Sequence, residues 1–239
     1  MVFLIASISP NQLIQLNSYS IYPDDPAHKI FSLNDVLDEN FSDDFMQIVT
    51  LFSENEQAAV SLSYFTKRYG MFIAMQFYML IVYEEWWDGT PEQIQFVAKE
   101  EFGRRALSMT FSNSEWTYMD DDPQYAVHKI LHEQCLPVIQ ALRKITSISP
   151  LLIWENIFGY MLWHFHTLSA DPMTHDLAST YLQLLEDDAT WVGISDKSIW
   201  YRYTTGNHPS QLINVPVRKT CCYSKDIPGL MACGFCPLK

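Results

Sequence analysis

Four of the five cysteines in this chain fall within its last nineteen residues, at Cys221, Cys222, Cys233 and Cys236. Their pattern is Cys-Cys-x10-Cys-x2-Cys. Four thiolates gathered in one short segment bind a soft metal centre, either zinc or an iron–sulfur cluster. Structural zinc sites usually join two chelating knuckles, each of the Cys-x2-Cys kind. Cys233-Gly234-Phe235-Cys236 fits that form, whereas the neighbours Cys221 and Cys222 send their side chains in different directions. A two-iron cluster spreads four ligand positions over two metals and relaxes the demand to converge on one ion. Gly229 and Gly234 permit tight turns, and Pro228-Gly229 marks a turn in the loop 223–232 that folds the two halves together.

The run Cys221-Cys222-Tyr223-Ser224-Lys225-Asp226-Ile227-Pro228-Gly229-Leu230-Met231-Ala232-Cys233-Gly234-Phe235-Cys236-Pro237-Leu238 resembles the C-terminal cluster segment of the FhuF-like ferric-siderophore reductases. Those proteins end in Cys-Cys, ten residues and Cys-x2-Cys, usually followed by Pro-Leu. Upstream, Trp154-Glu155-Asn156 matches a Trp-x-Asn element in a late helix of that family. The resemblance implies that Cys221, Cys222, Cys233 and Cys236 together hold one [2Fe–2S] cluster. It implies a ferric siderophore of hydroxamate, catecholate or hydroxycarboxylate type as substrate. The upstream part also resembles a portion of the siderophore synthetases, but no Gly-rich phosphate loop supports use of ATP.

The implied reaction has a simple physical basis. Hard oxygen donors hold small, highly charged Fe(III) tightly and Fe(II) far less well, so one electron loosens the metal. No G-x-G-x-x-G follows a strand, so neither nicotinamide nor flavin is expected, and the electron must come from an external donor such as a ferredoxin or a reductase. Arg104, Arg105, Arg202, Arg218 and Lys219 are candidates to meet a negatively charged siderophore, and Trp200, Tyr201 and Tyr203 to pack on it. Arg218 and Lys219 adjoin the cysteines. Two other functions use the same tail: a non-catalytic zinc-ribbon binding protein, and an iron or redox sensor with a labile cluster. The sensor would need an effector surface such as a basic DNA-binding face.

Other reactive residues have plainer readings. His128, His132 and Cys135 share a helix face at i, i+4 and i+7, which permits a metal site but equally fits amphipathic spacing. His164 and His166 lie two apart and face different ways. Glu84-Glu85 and Asp120-Asp121-Asp122 suit helix ends and turns better than acid–base work.

The elements that must position the tail follow from pattern. Residues 1–212 read as an α+β, siderophore-binding domain, mainly helical with a small antiparallel sheet, and 213–239 as the iron–sulfur cluster segment. Ser32-Leu33-Asn34-Asp35 looks like a helix start. Glu54 to Trp87 reads as a long helical region, apolar all round and therefore central, with Gly70 offering a break into two helices. Ile94–Ala98, Arg105–Phe111 and Glu115–Met119 read as an antiparallel meander, with Gly103 and Asn113 at the turns. Asp120-Asp121-Asp122-Pro123 opens a helix to about Ile145 with a bend at Pro137. Further helices are expected at Leu151–Thr167 and from Asp171 to about Glu186, and a short strand at Asp196–Tyr203.

Bulk properties bound the function. The 239 residues are 48% apolar and 18% charged, as in a folded globular chain. A net charge of −13 disfavours nucleic acid and anionic membranes and favours a partner with a basic face. The longest apolar stretch, near Met71–Tyr83, is too short to span a bilayer, and the N-terminal patch lacks the basic start of a signal peptide. A cytoplasmic location is expected, with room for peripheral contact with the inner membrane. In that compartment clustered cysteines point to metal.

Overall fold

The computed structural model describes residues 8–112, 116–119 and 122–238. Asn113, Glu115, Asp120 and Asp121 lie outside the described residues.

Helix α4 (Ala58–Tyr83) is the spine of an α+β fold. Its buried positions run round the whole circumference, from Val60 and Phe65 to Phe77 and Leu80, as an all-round apolar sequence requires. Before it come α1 (Pro10–Ser18), the short strand β1 (Lys29–Ser32), α2 (Leu33–Leu37) and α3 (Ser42–Ser53). Ser32 caps α2 as expected: its hydroxyl accepts the Asp35 N–H at 3.2 Å, and the Asp35 carboxylate accepts the Ser32 N–H at 2.7 Å.

Gly70 does not divide α4. It lets α4 lie against α7 (Pro150–Ala170): a Cβ there would stand 3.0 Å from the Ile157 Cα and 3.3 Å from the Asn156 carbonyl oxygen. The glycine trades helix propensity for a close crossing of the two helices that carry the tail.

The sheet departs from a meander. β3 (Gln95–Glu101) and β4 (Arg104–Thr110) pair as expected, in register from Gln95–Thr110 to Glu101–Arg104. The other neighbour of β3 is β1, giving the order β1-β3-β4. β5 (Trp116–Tyr118) instead pairs with β2 (Glu85–Trp87), directly after α4. Glu84 ends α4 in the left-handed conformation and accepts the Met119 N–H at 2.9 Å, which sets that register. Trp87 and Trp116 are both buried against Phe111, with ring centroids 5.8 and 5.9 Å away.

Asp122 caps α5 (Pro123–His128), accepting the Gln124 and Tyr125 N–H groups at 3.0 and 3.2 Å. The irregularity expected near Pro137 is a π-helical stretch, Lys129–Cys135, ahead of α6 (Leu136–Ile145). Proline offers no N–H and crowds the carbonyl one turn back, so the ladder widens there. α8 (His175–Glu186) begins later than expected, because Asp171 first makes a turn and accepts the Met173 N–H at 2.9 Å. The expected strand over 196–203 is the helix α9 (Ile199–Thr204). Ser198 caps it through the Tyr201 N–H at 2.8 Å, and Trp200, Tyr203 and Thr204 share its buried face. Among the described residues, no helix is long and apolar enough to cross a membrane.

Replacing Gly70 with Val forces α4 and α7 apart or strains both. The expected loss is about 1–3 kcal/mol of stability, read from chemical denaturation. An unchanged midpoint would show that the close approach carries no weight.

Candidate metal centre

The cysteine tail lies across α4 and α7, and side chains from both helices hold it. Glu155, in the Trp154-Glu155-Asn156 element, is 1% exposed. Its carboxylate accepts the Lys219 N–H at 2.8 Å, the Thr220 N–H at 3.0 Å and the Thr220 hydroxyl. Arg218 folds back over it: Nη1 donates to the Glu155 carbonyl at 2.9 Å, and Nε lies 3.7 Å from the carboxylate. A buried charge is tolerated only with such partners. Glu155 therefore fixes the residues immediately before the first cysteine.

Asn156 serves the next step. Its Nδ2 donates to the Thr66 hydroxyl at 2.7 Å and to Ser63 Oγ at 3.0 Å, and Ser63 Oγ in turn donates to the Cys222 carbonyl at 2.8 Å. Lys67, one turn along α4, donates to Ser224 Oγ at 2.7 Å, and that oxygen lies 3.2 Å from Cys222 Sγ. Further on, Asn55 Nδ2 donates to the Asp226 carbonyl at 2.9 Å.

The second half of the tail is pinned by an apolar anchor. Phe235 is buried over Gly159, whose missing side chain leaves its ring 3.6 Å from where a Cβ would stand, with the Trp163 ring centroid 6.3 Å away. The Arg218 N–H donates to the Phe235 carbonyl at 3.4 Å and ties the two halves together. Gly229, with φ +76°, makes the expected turn, and the Arg104 guanidinium packs onto it.

This bed brings Cys222 and Cys233 together, Sγ to Sγ at 3.5 Å. Two sulfurs on one tetrahedral metal stand at roughly that separation, given metal–sulfur bonds of about 2.3 Å. Cys236 is buried nearby, its N–H donating to the Cys233 carbonyl at 3.2 Å, while Cys221 is half-exposed and accepts the Tyr223 N–H at 3.4 Å. Among the described residues, no group of three or more His, Cys, Asp or Glu side chains is drawn into a metal-holding cluster.

The surroundings suit a bound anion. A cavity of about 150 Å³ adjoins the cysteine pair, lined by Cys222, Cys233, Lys67, Arg218, Tyr160 and Phe235. Arg218 Nη2 is buried with no hydrogen-bond partner among the described residues. Burial lowers the Lys67 ammonium to about 8, opposed by the pull of Cys222. The Cys233 thiol and the Lys67 ammonium hold Cys222 well below the usual thiol range, and Cys233 is pushed up in return. A half-buried Lys67 and a buried Arg218 beside an all-sulfur donor set fit a negatively charged, thiolate-bound group.

A larger cavity of about 590 Å³ lies on the other side of Lys67 and Tyr160, which border both. Arg104 and Arg105 line it, as two of the expected substrate cations. Arg202 and Lys219 are exposed and line neither cavity; Lys219 contributes its backbone N–H instead. Arg218 lines the smaller cavity beside the cysteine pair and also anchors the tail through Glu155. Trp200 and Tyr203 are core residues packed on Phe158, at 5.2 and 5.4 Å between ring centroids, and so are not free to pack on a ligand. Tyr201 is exposed.

Ser63 and Lys67 do not stand out in the sequence, and Glu155 does so only as the middle of the Trp154-Glu155-Asn156 element, without its role. The available signal was the set of polar residues Ser61, Ser63 and Thr66 breaking an otherwise apolar helix, since buried hydroxyls need partners. The histidines follow their plainer readings. His128 and His132 stack at 4.0 Å, with His132 Nε2 3.1 Å from the Thr190 carbonyl, and burial pushes the Cys135 thiol up. His164 is buried against Tyr19 and Tyr78 and lowered to about 4, so it stays neutral.

No family model matches this chain. It is similar to a protein of Escherichia coli (strain K12) named ferric siderophore reductase, with 24% identity over 170 residues. The match covers 71% of this chain and 62% of that relative, so the chain spans less than two thirds of the relative's length.

Glu155→Ala leaves Arg218 buried without its counter-charge and frees the backbone at 219–220. The expected cost is about 3–5 kcal/mol, with faster alkylation of the tail cysteines. Wild-type alkylation rates and stability would show that Glu155 does not hold the tail.

Proposed function

We propose that this chain is a ferric-siderophore reductase that uses a [2Fe–2S] cluster held by Cys221, Cys222, Cys233 and Cys236. The observation that carries the reading is the seating of the cysteine tail on a bed with two cations, the half-buried Lys67 and the buried Arg218, beside a cavity large enough for a chelate. The similarity to a protein named ferric siderophore reductase supports the substrate class.

When bound, such a cluster supplies one electron at a time. The chain's own residues do the rest. The four thiolates provide an all-sulfur ligand set, which selects iron–sulfur or zinc over hard-ligand metals. Lys67 and Arg218 offset the negative charge that four thiolates bring, and the Ser224 hydroxyl orients Cys222. Phe235 and Trp163 cover one side and limit solvent there. The electron goes to siderophore-bound Fe(III), giving Fe(II), which hard oxygen ligands release. An external donor such as a ferredoxin or reductase restores the reduced state. With a net charge of −13, this chain suits a donor with a basic face.

Cys222→Ser is expected to abolish the visible absorption of protein purified without oxygen, while the far-ultraviolet circular dichroism stays that of wild type. Dithionite-reduced wild type mixed with a ferric siderophore should release Fe(II) to a chelator, and the variant should not. Full turnover by the variant, or a colourless wild type carrying zinc, would overturn the assignment.

A further inference from the structure

We infer that the cavity of about 590 Å³ between α4, the β3–β4 hairpin and the tail is the binding site for a negatively charged, oxygen-ligated ferric chelate, and that Phe102 packs on the organic shell of that chelate. This inference rests on the reductase reading above and locates its substrate.

The first observation is charge. Four cations, Lys67, Arg68, Arg104 and Arg105, line the cavity, against three carboxylates, Glu100 and Glu101 in its lining and Glu54 paired with Arg104, in a chain whose net charge is −13. Two of the cations are held in place. Arg68 is bound to Glu101 at 2.8 Å and to Ser20 at 2.6 Å; Arg104 is bound to Glu54 at 2.6 Å and lies on Gly229. Arg105 is exposed and Lys67 borders the cysteine pair, so the two cations outside these ion pairs stand at the rim and at the metal centre. A concave, locally cationic wall in an acidic protein concentrates anions.

The second observation is independent of charge. Phe102 and Gly103 form the two-residue turn between β3 and β4, with φ of +51° and +73°. A turn with both residues left-handed favours Asn-Gly or Asp-Gly, and a bulky side chain at its first position is strained. Phe102 is also fully exposed, at 104%, and lines the cavity. A fully exposed ring on a strained backbone position buries nothing among the described residues. Its position at the mouth of a cationic cavity suits contact with an apolar ligand surface. Lys67 and Tyr160 form the partition between this cavity and the cysteines, so a chelate seated here lies one side-chain layer from the thiolates. The step is the transfer of one electron across that layer, turning Fe(III) in the chelate to Fe(II), with the electron restored by the external one-electron donor.

The test measures equilibrium binding of a gallium tricatecholate, which is negatively charged and not reducible, to the cluster-loaded protein by titration calorimetry. Phe102→Asn should raise the melting temperature, because Asn accepts the left-handed turn, and yet weaken gallium-chelate binding about fivefold. Arg105→Glu should weaken it about tenfold and flatten its salt dependence, with Arg105→Lys close to wild type. The visible spectrum of the loaded tail reports that each variant retains its cluster. Wild-type affinity in both Phe102→Asn and Arg105→Glu, or no binding by wild type, overturns the location. If wild type binds the gallium chelate and the variants lose it, yet reduced wild type passes no electron to the ferric chelate, the site stands and the reductase reading falls.

Discussion

One buried carboxylate organises the functional end of this molecule. Glu155 is enclosed in α7, and the donors that satisfy it come largely from the chain just before the first cysteine: two backbone N–H groups, a hydroxyl and the Arg218 guanidinium. Without that segment Glu155 would be an uncompensated charge in the interior. Without Glu155 the segment would lose its seat. The tail and the helical body are thus tied together by one buried charge and its partners.

The rest of the arrangement depends on how closely α4 approaches α7. Gly70 permits the approach, and the polar face of α4 then meets Asn156 in a chain of hydrogen bonds that ends on the Cys222 carbonyl. Lys67 and Arg68 extend the same helix toward the larger cavity. A single helix therefore contributes core packing, tail anchoring and local positive charge. That charge is notable only against an acidic background: the chain carries 15 basic and 28 acidic residues, but gathers cations where the thiolates and the cavity lie.

What could be read from sequence was what local chemistry determines. The caps at Ser32 and Asp122, the central apolar helix and the β3–β4 pair are set by residues close in the chain. The partners of β1, β2 and β5 are chosen across tens of residues, through Trp87, Phe111 and Trp116, and no periodicity reveals that choice. The Ile, Trp and Tyr residues of α9 favour a strand by composition, whereas its spacing of buried residues at three and four is helical. Of the expected substrate cations, Arg104 and Arg105 reach the cavity; Arg202 does not, because fold-level placement decides it. Phe102 gave no signal in the sequence, since its left-handed backbone and its full exposure at the cavity mouth belong to the fold.

The central claim concerns what the four cysteines hold. Iron, acid-labile sulfide and zinc should be determined together, per chain, in wild-type protein purified without oxygen. About two irons and two sulfides, with negligible zinc, is the expected result. About one zinc and no sulfide would contradict the account, because an ion that accepts no electron cannot reduce a ferric chelate.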